Sequence, residues 1–209
     1  RWAQNWEFQA LLKARPCAGN MEVGERFLEY AAPFIWEASA RPGFVDEVRS
    51  MRAQVENSVP PKERESELKL GVGGLRDIEF SIQFLQLVHG RTDIHIRQRS
   101  TLGALEALSA QGYIARTDAA HLREAYAFLR TLEHRSQLLR MHRTHTLPTG
   151  LRQLERLLRS LHGMPATVEQ LHEQLRALRL RVRELHHSVF FRPIIAASAR
   201  LDEDLIHLD

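Results

Sequence analysis

"ELKLGVGGLRDIEFSIQFLQLVHGR", residues 67–91, sets three glycines directly ahead of a long apolar run. From Leu75 to His89 the apolar residues Leu75, Ile78, Phe80, Ile82, Phe84, Leu85, Leu87 and Val88 cover nearly the whole circumference of a helix, the pattern of a central, buried element. Arg76, Glu79, Gln83 and Gln86 are spaced 3, 4 and 3 apart. At 100° per residue they form one narrow polar stripe, which must face solvent, a cleft or a satisfied hydrogen-bond network.

Outward from this helix, spacings of three and four recur almost throughout, and the β-branched alternation of strands is absent. The expected class is all-α. Upstream, a helix is expected from Trp2 to about Arg15, stopped by Pro16, with Gly19 and Asn20 as turn and cap. Two more follow, about Met21 to Ala38 and about Phe44 to Asn57. Pro60 and Pro61 open a charged linker reaching Glu67, the best internal boundary. Downstream, Ser100 is expected to cap a helix to about Ala110, Thr117 a long helix to about His142, and another runs from Leu151 to about Leu161, stopping at Gly163-Met164-Pro165. Thr167 caps the last helix. There Val168, Leu171, Leu175, Leu178, Val182, Leu185 and Val189 repeat at 3 and 4, a 3.5-residue period that implies bundle packing.

The chain has 209 residues, 44% hydrophobic, enough for one sizeable core or two smaller ones packed together. No run of eighteen apolar residues suggests a membrane span, and the first residues have no secretory pattern. Cys17 stands alone, which excludes an internal disulfide and a cysteine zinc cluster and fits a cytoplasmic setting. Net charge is +3, and 26 of the 29 basic residues are arginine, the lysines being Lys13, Lys62 and Lys69. Acidic residues are interspersed with the arginines in nearly every segment, which argues against a nucleic-acid partner. The chain begins without Met inside an expected helix, as a piece of something larger would.

The glycines let successive backbone N–H groups turn inward, the following helix offers free donors and partial positive charge, and Lys69 and Arg76 flank them, so Gly71, Gly73 and Gly74 could cradle a phosphate. Neither a P-loop nor a dinucleotide fingerprint fits. A plain turn between helices is the competing reading. Arg76, Asp77 and Glu79 could equally belong to a structural ion network. His142 with His145, and His186 with His187, have no acidic or cysteine partners at metal-site spacing, so no metal site is expected within the chain. Asp202 and Asp204 sit in a polar tail, and no Ser, His and Asp grouping suggests a triad.

Together with "WEFQALLKARPCAGN" at 6–20 and "FLRTLEHRSQLLRMHRTHTLP" at 128–148, the opening stretch resembles the bifunctional bacterial glutamine synthetase adenylyltransferase/adenylyl-removing enzymes. The resemblance implies that residues 1–58 are the last helices of a nucleotidyltransferase-fold domain whose sheet is absent from this chain, and that 59–209 are the helical bundle beyond. It implies a parent that uses ATP, ADP and phosphate with Mg2+, acts on glutamine synthetase, and could meet a PII signalling protein. The form Lys-Leu-Gly-x-Gly-Gly-Leu-Arg is similar to the adenylyl-removing half. The family's paired-aspartate metal loop has no counterpart in the chain, so no catalytic residue is assigned. Lys13, Arg15, Lys69, Gly71, Gly73, Gly74 and Arg76 are the implied nucleotide or phosphate contacts; Asp77 and Glu79 line the cleft or serve structure. Alternatives are a bundle that docks glutamine synthetase or PII, and a relative of the PII uridylyltransferases.

Overall fold

A computed structural model describes residues 5–161 and 165–206, with side chains described for 6–161 and 165–188. Expectations placed on Trp2, on Gly163 and Met164, and on the side chains of Val189, Asp202 and Asp204 lie outside those residues. Eight α-helices are described: α1 Asn5–Leu11, α2 Met21–Trp36, α3 Phe44–Asn57, α4 Leu75–His89, α5 Thr101–Ala110, α6 Arg116–Arg140, α7 Leu151–Arg159 and α8 Val168–Ile206. Among the described residues there is no strand, only an isolated antiparallel bridge between Glu67 and Thr146. No helix among them is long and apolar enough to cross a membrane.

Most expected boundaries hold, and the exceptions have local causes. Helix α1 stops at Leu11, well before Pro16: its last turn tightens through Lys13 N–H to the Ala10 carbonyl at 3.3 Å and Ala14 N–H to the Leu11 carbonyl at 3.0 Å. The residue before a proline avoids the helical region, so Arg15 could not continue the helix, and the turn at Leu12 and Lys13 ends it earlier. Thr117 is no cap; α6 begins at Arg116, after an extended Ala115 that makes no side-chain cap bond. Asn20 and Ser100 do cap, accepting from Val23 N–H at 3.2 Å and Gly103 N–H at 2.9 Å. Thr167 Oγ1 accepts from Gln170 N–H at 3.2 Å.

Helix α4 is the shared wall of two apolar clusters. Leu75, Ile78, Ile82 and Leu85 pack into the larger one with α5, α6, α7 and α8. Phe80, Phe84 and Leu87 face the smaller one, built from Phe8, Leu12, Ala31, Ile35, Phe44 and Val48 of α1 to α3 and their turns. Phe44 stacks on Phe84 with centroids 6.0 Å apart. Each fully buried Leu, Ile or Phe side chain contributes on the order of 1.5–3 kcal/mol before chain entropy is subtracted. The heptad stripe of α8 is buried at Leu171, Leu175, Val182 and Leu185, with Val168 and Leu178 packed partly against it.

One apolar face has no cover among the described residues. Val23, Phe27, Tyr30 and Phe34 of α2 lie 4, 3 and 4 residues apart, on one side of the helix, and each is about half exposed or more. Ala31 and Ile35 occupy the buried side.

Candidate functional site

The glycine loop folds around carboxylates of its own chain. Glu67, buried at the bridge, accepts the N–H groups of Lys69 at 2.8 Å and Leu70 at 3.0 Å through Oε1. Asp77 Oδ2 accepts Gly73 N–H at 2.6 Å. The amides of Gly74, Leu75 and Arg76 go to the carbonyls of Gly71, Leu68 and Lys69 at 3.0, 3.0 and 2.9 Å. Most donors of the expected cradle are therefore already engaged. Gly73 must be glycine for two reasons: its φ is +68°, and a Cβ would stand 2.1 Å from the Arg179 carbonyl oxygen of α8.

Asp77 is buried behind this loop. Its Oδ1 takes Arg52 Nε at 2.6 Å and pairs with a terminal nitrogen of the same guanidinium, tying α3 to α4. Ser81 Oγ donates to the Asp77 carbonyl at 2.7 Å and lies 2.9 Å from His186 Nδ1 of α8. His186 Nε2 is 3.8 Å from Asp77 Oδ1. Burial pushes the imidazole down to about 4, outweighing the upward pull of Asp77. The imidazole is thus neutral at pH 7. Ser81, His186 and Asp77 meet although no such grouping was expected, but Ser81 is only 1% exposed and cannot meet a substrate. The group locks helices together.

Charged side chains face the other way from the same loop. Glu79, 5% exposed, sits among Arg76 Nη1 at 3.3 Å, Lys13 Nζ at 3.7 Å, Arg130 Nη2 at 4.0 Å and the Tyr126 hydroxyl at 3.4 Å. Lys13 also donates to Thr101 Oγ1 at 2.8 Å. Arg130 donates to the Tyr126 oxygen at 3.2 Å and to Glu133 Oε2 at 2.7 Å. His145 Nδ1 is 2.8 Å from Glu133 Oε1. Burial alone would raise Glu133, but the hydrogen bonds from Arg130 and His145, and the charges of Arg130 and Lys69, hold it below the usual carboxylate range. Burial lowers Lys13 from its ordinary value; Glu79 opposes the shift, while Arg130 and Arg76 add to it.

The structure thus brings Lys13, Lys69, Arg76 and Glu79 into one patch and adds Arg130, Glu133, Tyr126, Thr101 and His145. Arg15 is exposed and makes none of these contacts; Asp77 belongs to the buried lock. The rest of the α4 polar stripe is a satisfied network: Gln83 Oε1 accepts from Gln9 at 2.9 Å, and Gln86 Nε2 donates to the Ile96 and Gln98 carbonyls at 2.8 Å each. Four cations stand against two carboxylates in the patch, and Arg76 Nε is shielded from solvent without a hydrogen-bond partner. Its carboxylates are already engaged by these cations, and no three potential ligands group together among the described residues. The donor set does not fit magnesium.

A family model described as GlnD PII-uridylyltransferase matches residues 49–190, more than half of the chain. The chain belongs to this family. Among curated relatives, the bifunctional glutamine synthetase adenylyltransferase/adenylyl-removing enzyme of Nocardia farcinica is 49% identical over 217 residues, covering 100% of this chain and 21% of the relative. Those of Streptomyces avermitilis and Corynebacterium efficiens are 50% and 46% identical over 96% and 100% of the chain, and in both the match covers 20% of the relative. The chain spans about a fifth of the length of these relatives.

Proposed function

We propose that this chain is the helical part of an enzyme that adenylylates and deadenylylates glutamine synthetase, and that the patch around Glu79 faces the phosphates of the nucleotide or the attacking inorganic phosphate. The observation that carries the proposal is the surplus of cations: Lys13, Lys69, Arg76 and Arg130 around Glu79 and Glu133, with the side chains of Lys13, Arg76 and Arg130 38%, 38% and 34% exposed and so within reach of an incoming group. Guanidinium and ammonium groups in a half-buried setting stabilise phosphoryl oxygens by charge-assisted hydrogen bonds. The glycine loop sets the wall, since Lys69 and Arg76 bracket it and its amides are held by Glu67 and Asp77. Residues 1–58 would close a nucleotidyltransferase-fold domain and 59–209 form the bundle. The second apolar cluster, which α1 to α3 build against one face of α4, and the bare stripe on α2, which a sheet could cover, support that division. Magnesium would be held by carboxylates beyond this chain, and ATP or ADP by that metal together with the cationic patch, in the cytoplasm; the adenylyl-removing half is the favoured placement from the Leu75-Arg76 form of the motif.

The match to a model described by PII uridylylation favours a second reading, a uridylyltransferase relative or a PII-docking bundle. Identity of 46–50% across almost the whole chain to adenylyl-transferring relatives favours the first. The test is kinetic, in the full-length enzyme. Lys69→Ala and Arg76→Ala should each cost about 1–3 kcal/mol of transition-state stabilisation, roughly 5- to 150-fold in kcat/KM for phosphate or nucleotide, with folding intact. Unchanged kinetics in well-folded variants would assign the patch to structure alone.

A further inference from the structure

A second basic surface lies behind the same glycine loop. His172, Arg176, Arg179 and Arg183 of α8 are spaced 4, 3 and 4 apart and so share one face of the helix. That face borders a groove of about 640 Å³, whose other wall is the end of α3 and Arg64, with Gly71 and Val72 of the loop between them. Lys69 and Arg76 do not line it.

Arg179 is structural. It donates to the Val72, Glu65 and Arg64 carbonyls at 2.8, 3.1 and 3.2 Å and holds the loop against α8. Arg176 and Arg183 stand about one turn to either side of it, and like charges at this spacing repel. Neither they nor Arg64 has a carboxylate within 4.0 Å among the described residues, whereas Arg181, on another face of α8, pairs with Asp118 and Glu184 at 3.1 Å each. The groove does contain two carboxylates. Glu56 is drawn to Arg52 at 3.8 Å, and Glu65 is exposed. With Arg179 held by backbone carbonyls and drawn to Asp77, Glu67 and Glu65, and Glu56 drawn to Arg52, the guanidinium groups of Arg64, Arg176 and Arg183 face Glu65 alone and leave net positive charge for an anion. The walls also include Val59, Val72 and Leu175, and the volume falls in the range of small-molecule sites, about 300–1,000 Å³.

We infer that this groove binds a phosphate-bearing small molecule of nucleotide size, its phosphates on Arg64, Arg176 and Arg183 and its apolar body over Val59 and Leu175. Planar guanidinium forks suit phosphate oxygens in pairs. The ligand chemistry is the same as at the Glu79 patch, but none of these residues belongs to it, so either site can be removed without the other.

The experiment is calorimetric titration of the protein with ADP, pyrophosphate, inorganic phosphate and an oligoglutamate peptide, repeated for Arg176→Gln/Arg183→Gln and for Lys69→Ala/Arg76→Ala. ADP or pyrophosphate should show, beside binding at the Glu79 patch, a component that persists in Lys69→Ala/Arg76→Ala, and Arg176→Gln/Arg183→Gln should weaken that component by about tenfold or more without lowering the unfolding temperature. The inference is overturned if no phosphate compound binds up to about 5 mM. It also fails if the α8 variant binds as tightly as the parent, or if only the oligoglutamate binds, which would make the groove a peptide dock.

Discussion

Replacing Asp77 with asparagine removes one charge from the junction of α3, α4 and α8 while keeping the shape of the side chain. Asp77 is 2% exposed and Arg52 5%, so the pair has almost no water to fall back on. Both terminal nitrogens of Arg52 already lack a hydrogen-bond partner, one of them held by charge alone. In the variant, the hydrogen bond from Nε and the charge contact of Nη2 would meet a neutral amide. Breaking a buried pair by removing one partner costs about 3–5 kcal/mol, mostly because the surviving charge is left uncompensated. The single amide oxygen can accept from Gly73 N–H or from Arg52 Nε but not from both, so either the loop bond or the link to α3 is lost. For a domain of this size 1 kcal/mol shifts the midpoint by about 2–4 °C, which places the thermal transition of Asp77→Asn about 6–20 °C below the parent. Urea unfolding followed by circular dichroism gives the free energy directly. Arg52→Met/Asp77→Asn closes a double-mutant cycle, and its cost should fall well short of the sum of the single costs because both act on one interaction. A loss within about 0.5 kcal/mol for Asp77→Asn, or strict additivity in the cycle, would refute the lock.

His186 gives the fold a pH dependence with a defined sign. Its folded value of about 4 lies below the ordinary 6.5, so between these values the unfolded chain binds more protons. The stabilisation is complete at pH 7 and is lost as pH falls from about 6.5 to about 4, by about 3 kcal/mol in all. Urea unfolding at pH 7 and pH 5 should show a clear loss in the parent and a smaller one in His186→Asn; equal slopes would contradict it. Two glycines with positive φ separate strain from packing. Gly73→Ala adds a Cβ 2.1 Å from the Arg179 carbonyl and should cost roughly 3 kcal/mol or more, whereas Gly112→Ala, with φ +82° and nothing within 4 Å, should cost about 1–2 kcal/mol. Thermal midpoints compare the two directly, and similar losses would mean that α8 does not press on the loop.

Much of the fold was legible because it follows from local rules. The 3.5-residue period of α8, the all-round apolar character of α4 and the caps at Asn20 and Ser100 are written in neighbouring residues. The patch was legible only in part. Lys13, Lys69, Arg76 and Glu79 were picked out by the motifs they belong to, but Tyr126, Arg130, Glu133 and His145 join them through α6 and the loop after it, 47 or more residues from Glu79. His145 and His186 illustrate the limit. Spacing along the chain gave neither an acidic partner, yet Glu133 lies 2.8 Å from one and Asp77 3.8 Å from the other. A period of 3.6 reports which face of a helix is buried and is silent on what a distant helix brings to it.

The glycine loop shows why the choice between a hinge and an anion holder was ill posed at sequence level. Its donors do hold negative charge, but the charge belongs to Glu67 and Asp77, which are covalently part of the loop and never dissociate. A loop satisfied from within pays no ordering cost when a ligand arrives, so the side chains it carries are presented at fixed positions. Arg179 fixes the Val72 carbonyl on one side, and the Asp77 and Arg52 pair fixes Gly73 from beneath. Arg76 then projects from a rigid base toward Glu79, and the charge of Lys69 acts on Glu133. On this argument Asp77 sets the geometry of the cationic patch without touching any ligand. In the full-length enzyme, a well-folded preparation of Asp77→Asn should therefore raise KM for phosphate or nucleotide, while Gln83→Leu, on the same helix but outside the loop, should leave it alone.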